Sequence, residues 1–147
     1  MQTPHSASAM RFEVSIAVKA AREKVYYAYT DFEAAPKWSK QASAVAASVT
    51  GNTARLETTS AGNGRKSVRV VKLFPPERVE SAGETRFTRT SVIVRFEEVP
   101  DGTKVTATLD VRFKGRWGWV LKTPGKTDVE SSALEELTSF GTYAEKL

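Results

Sequence analysis

Residues 103–114, TKVTATLDVRFK, alternate without a break. Val105, Ala107, Leu109, Val111 and Phe113 fall on one side, and Thr106, Thr108, Asp110, Arg112 and Lys114 on the other. Successive side chains of a strand point to opposite faces, so this segment is a strand with one dry face and one wet face. A sheet built of such strands needs an apolar cover on the dry side. The chain supplies one at its far end, where Val129, Ala133, Leu137, Phe140 and Ala144 recur at helical spacing up to Leu147. Thr127 or Asp128 can cap that helix, with Glu130 in its first turn.

The other segments fit the same plan. Phe12, Val14, Ile16 and Val18 share one face of an opening strand. The period then lengthens: Ala21, Val25, Ala28, Tyr29 and Phe32 make a short amphipathic helix. A second helical piece follows the bend near Asp31, and Pro36 limits its extent. Val45, Ala47 and Val49 begin a hairpin that turns at Gly51-Asn52 and returns through Ala54, Leu56 and Thr58. A turn at 61–64, a strand over 67–74 closed by Pro75-Pro76, a strand over 77–82 and a long strand over 86–99 follow. Pro100-Asp101-Gly102 makes the last hairpin turn. These spacings predict an α+β fold. About six to seven antiparallel strands curve around a long C-terminal helix, with two short helices after the first strand.

Composition narrows the chemistry. The chain has 147 residues and no cysteine, which excludes disulfides, thiolate metal sites and a cysteine nucleophile and suits a reducing, cytoplasmic setting. Its single histidine, His5, lies in the small polar stretch 1–9, read as a flexible leader ahead of one domain over 10–147. No metal site and no cofactor are expected. The net charge is +5, but Lys and Arg are interleaved with Asp and Glu, so a solvated sheet face is expected rather than a nucleic-acid surface. No apolar run approaches the roughly 20 residues of a membrane span. A monomer or homodimer is expected.

Several stretches resemble the SRPBCC superfamily over residues 10–147. RFEVSIAVKA followed by AREKVYYAYTDFEAAPKW is similar to that superfamily's first strand, helix and proline–tryptophan bend. LFPPERVES resembles its proline–arginine entry to a middle strand, and FEEVPDGTKVTATLDVRFKG its last hairpin. The superfamily contains START-related lipid carriers, polyketide cyclase and dehydrase-like proteins, coenzyme Q-binding proteins and plant pathogenesis-related allergens. The resemblance implies a helix-grip fold with an apolar cavity between sheet and helix that holds a lipid, polyketide or quinone. It carries over no catalytic residue. The residues expected to face that cavity are Trp38, Leu56, Thr58, Thr90, Val92, Val94, Phe96, Leu109, Val111, Phe113, Trp117, Trp119, Leu137 and Phe140.

Two positions stay open on the residues alone. Trp38 either seals the sheet against core or faces a ligand. Arg69 sits in a strand where Val68 and Val70 oppose Val71 and Leu73, so the phase is ambiguous. An exposed arginine is the default expectation, because a buried cation is costly without a partner. Glu135 and Glu136 are expected on a solvated helix face. Three functions follow: binding, with or without transport, of a hydrophobic small molecule, a cyclase or dehydratase on the same fold, or a co-chaperone-like interaction module.

Overall fold

The computed structural model describes residues 9–84, 88–113 and 126–147. Seven antiparallel strands form one sheet in the order β1-β7-β6-β5-β4-β3-β2. They are β1 (Ala9–Val18), β2 (Ala42–Thr50), β3 (Thr53–Ser60), β4 (Lys66–Phe74), β5 (Arg78–Glu84), β6 (Thr88–Val99) and β7 (Gly102–Phe113). Helix α1 (Arg22–Thr30) and a 3-10 helix (Phe32–Lys37) connect β1 to β2, and α2 (Lys126–Lys146) ends the chain. This is the helix-grip arrangement, with α2 held against the concave face of the sheet. Among the described residues α2 is already helical at Lys126, so Thr127 and Asp128 lie within it instead of capping it.

Turn chemistry sets the register. Gly51, at φ +60°, supplies the positive φ of the two-residue turn that pairs Thr50 with Thr53. Pro100-Asp101 turns between Val99 and Gly102. The alternation in β7 is realised: Val105 and Ala107 are buried, while Arg112 and Lys104 are exposed. Pairing carries this phase across the sheet, so that Leu56, Arg69, Gly83, Thr90 and Val111 form one cross-strand row. Ala54, Val71, Ser81, Val92 and Leu109 form the next.

The core extends along the concave face as far as Ala54 and Val71, and its fully buried aromatics lie at one end. Val18, Val25, Tyr26, Phe96, Val105, Phe140 and Ala144 are each at most 2% exposed. Here α2 comes close to β1. A Cβ on Gly141 would stand 2.7 Å from Ile16 Cδ1, so a side chain here requires the end of the Ile16 side chain to shift. The Thr103 hydroxyl, fully buried, donates to the Ala20 carbonyl at 2.7 Å and satisfies the chain where it leaves β1.

Candidate functional site

At the other end the sheet and helix stand apart. Two adjoining lobes open there, each of about 420 Å³. The first lies over β3, β4 and β5, against Leu56, Thr58, Arg69, Val71, Val79 and Ser81. The second lies between β6–β7 and the first half of α2, against Val92, Ala107, Leu109, Val129, Ala133 and Leu137. Tyr29, Trp38, Gln41, Val94 and Glu136 border both. Space remains because short side chains occupy wall positions: Ser67 and Ser81 on the strands around the first lobe, Ala107 and Ala133 facing each other across the second. Two half-open spaces of this size with mainly apolar walls are of ligand-binding scale.

The partition between the lobes is aromatic. Tyr29 lies in the last turn of α1, and Trp38 follows the 3-10 helix. The bend between them brings their rings together at 6.1 Å with planes 28° apart. Phe140 meets Trp38 edge-on at 5.2 Å and Tyr29 at 5.2 Å. Trp38 thus rests on core through one edge and borders both lobes with the rest of its ring. Its Nε1 is buried and has no hydrogen-bond acceptor among the described residues.

Arg69, Tyr29 and Glu136 are the ionisable side chains on these walls. Arg69 faces inward, which corrects the expectation of an exposed arginine. Val68 and Val70 are the exposed pair of β4, at 39% and 48%, while Val71 is buried at 1%. The guanidinium donates from Nη2 to Ser81 Oγ at 3.3 Å, and no carboxylate pairs with it among the described residues. Burial lowers its pKa, with Tyr29 acting in the opposite direction. The Tyr29 hydroxyl is pushed up to about 12, first by burial. Arg69 pulls it down and Glu136 pushes it further up. It is therefore a neutral phenol at ordinary pH.

Glu136 also departs from the expected solvated face. It is half-buried at the cavity rim, where Oε2 accepts from Ser39 Oγ at 2.7 Å and Oε1 from the Lys40 backbone N–H at 3.0 Å. Gln41 Nε2 donates to Ser132 Oγ at 3.0 Å. These bonds tie the segment after the 3-10 helix to α2 and hold the rim together.

Of the residues expected to face a cavity, Trp38, Leu56, Thr58, Val92, Val94, Leu109 and Leu137 border one lobe or both. Phe96 and Phe140 are 2% and 0% exposed and lie behind the Tyr29 ring, in core. Thr90 and Val111 are half-buried in the row next to the lobes and border neither. The Phe113 side chain, Trp117 and Trp119 lie outside the described residues. Tyr29, Arg69, Ser81 and Glu136 join the site without having been expected there. Among the described residues no group of three His, Asp or Glu could hold a metal ion. Nor is any described helix long and apolar enough to cross a membrane.

Comparison with known proteins agrees with this architecture. The model of the family described as "Polyketide cyclase / dehydrase and lipid transport" matches residues 9–145. The di-domain aromatase/cyclase BexL of the BE-7585A biosynthetic pathway superposes with a TM-score of 0.77 at 16% identity, over 95% of this chain and 50% of its own. This chain thus spans about half the length of that di-domain protein. The Zhui aromatase/cyclase from a Streptomyces species gives 0.70 at 15% identity, over 94% of each chain. A START superfamily protein from Mycobacterium smegmatis gives 0.64 at 20% identity, over 92% of this chain and 94% of its own. No curated protein sequence matches. At these identities the structures speak for the fold, and the family model for descent: the chain belongs to the polyketide cyclase / dehydrase and lipid transport family, within the START/polyketide cyclase (SRPBCC) superfamily.

Proposed function

We propose that this chain binds an amphipathic small molecule, a lipid, polyketide or quinone, with its apolar body along the two lobes and an oxygen-bearing end at Arg69. The observation that carries this reading is an inward arginine with no carboxylate partner among the described residues, in a lobe whose other wall groups are apolar or, Glu136 at the rim aside, uncharged. A desolvated cation is costly, and an anionic or strongly polar oxygen supplied by a ligand would offset that cost. The Tyr29 phenol adds a donor on the shared wall. Native mass spectrometry of the purified protein, followed by solvent extraction, tests this. A co-purifying hydrophobic molecule bearing a carboxylate, enol or quinone oxygen is expected. A released ligand that is fully polar would contradict it.

A cyclase or dehydratase activity is the second reading. It is favoured by the convergence of Arg69, Tyr29 and Glu136 on one lobe. General acid–base chemistry needs polar groups that meet at one reacting centre. There an arginine can stabilise a developing enolate while a neutral phenol donates a hydrogen bond. Family membership and the two aromatase/cyclase folds support it. Turnover of a poly-β-keto thioester lost in both Arg69→Met and Tyr29→Phe is the expected result. Equal background rates with and without protein would refute it.

A further inference from the structure

Gly83 stands directly opposite Arg69 in the β4–β5 register, and Ser81 lies two residues before it on the same inner face of β5. A Cβ placed on Gly83 would lie 2.9 Å from Arg69 Nη1 and 3.3 Å from both Cγ and Cζ. The conflict therefore involves the stem of the arginine as well as its tip. The whole side chain lies flat across β5 in the space a methyl group would take, and in that pose Nη2 reaches Ser81 Oγ at 3.3 Å. Backbone geometry does not account for the glycine. Among the described residues the positive-φ glycines are Gly51, Gly64 and Gly102, and Gly83 is not one of them. A glycine inside a strand otherwise weakens it and often marks a close approach.

We infer that Gly83 is a positioning residue for ligand recognition. By lacking a side chain it lets the Arg69 guanidinium lie across β5 against Ser81, aimed at the carboxylate or enolate end of a ligand in the first lobe. This rests on the proposed role of Arg69, and its failure is separable from the failure of that role.

The experiment uses full-length protein and the probe pair decanoic acid and methyl decanoate, followed by tryptophan fluorescence. Wild type is expected to prefer the acid by about tenfold, the scale of one charge-assisted hydrogen bond. Arg69→Met removes the preference. Gly83→Ala lowers acid affinity by about tenfold and leaves the ester within about twofold. Gly83→Ala adds nothing on top of Arg69→Met, the signature of two residues acting through one interaction. Ser81→Ala, which alters no backbone, lowers acid affinity by a few-fold and gives the same reading should Gly83→Ala fold poorly. A ligand-free readout accompanies these: the Arg69 Nε–H resonance, assigned by its loss in Arg69→Met, shifts in Gly83→Ala.

If Arg69→Met keeps the acid preference, the proposed role of Arg69 fails while the resonance shift still reports on Gly83. If Arg69→Met abolishes the preference but Gly83→Ala and Ser81→Ala both retain it, the positioning role is overturned. Equal loss of acid and ester binding in Gly83→Ala, or an unmoved resonance, overturns it as well.

Discussion

The two halves of α2 face the same sheet and do different things. From Phe140 to Ala144 the helix is sealed: Phe140, Gly141 and Ala144 are buried, and Gly141 lies directly against the Ile16 and Val18 side chains of β1. From Val129 to Leu137 the same apolar stripe meets Ala107, Leu109 and Val92 across about 420 Å³ of space. Hydrophobic periodicity is equal in both halves, so periodicity does not separate core from chamber. The difference lies in side-chain size and in what stands opposite. The sealed end sets Phe140 and Tyr26 against Val18, Val25, Val105 and Phe96. The open end sets alanine against alanine, and serine beside arginine.

That contrast predicts unequal responses to truncation. Phe140→Ala should cost about 3–5 kcal/mol in urea unfolding, the range for a large aromatic removed from a filled core. A loss below about 1 kcal/mol would mean this end is loose too. High pH should act through the open end next. The folded-state pKa of Tyr29, about 12, lies above its ordinary 10.0. A raised phenol pKa leaves its contribution intact below pH 10, and stability falls as pH climbs from about 10 to about 12. The gap between the two values corresponds to a loss of about 2–3 kcal/mol across that window. Tyr29→Phe should remove that part of the alkaline fall. An identical fall in the variant would show that the Tyr29 hydroxyl is not shielded.

Leu109→Ala comes third. Its side chain already borders open space, so the variant should lose about 1–2 kcal/mol, under the usual range for a filled core. A loss matching that of Phe140→Ala would erase the distinction between the ends. The smallest effect belongs to neither. Lys66→Ala breaks an exposed 3.5 Å pair with Glu57 on the outer face and should shift stability by at most about 0.5 kcal/mol. A larger change would point to an unrecognised role for that face.

The succession of strands and helices along the chain, the bend and the covering helix were legible because alternation in β1 and β7, the Gly51-Asn52 turn and the α2 stripe are local signals that tertiary structure obeys. Trp38 was legible as a residue with an apolar destination, and its ring proves to border core and chamber at once. Arg69 was not legible, because β4 carries valines on both faces. Its phase is decided by neighbours, Leu56 on one side and Gly83 on the other, which only pairing reveals. The glycine inside β5 was the signal available, since a bare position in a strand marks something lying over it. Glu136 was obscured by Glu135 beside it. Phe96 and Phe140 have the right phase to face a cavity, but the Tyr29 and Trp38 rings fill the space in front of them.

The most direct test of the open end as a binding chamber is a paired measurement on one variant, Ala133→Leu, which extends a side chain into the second lobe. Urea unfolding and titration with decanoic acid are read on the same preparation. If the space is kept for a ligand, affinity falls at least about tenfold while stability holds or rises by up to about 1 kcal/mol, as cavity-filling substitutions do. Unchanged affinity, or a stability loss of about 1–3 kcal/mol of the kind overpacking produces, would contradict it.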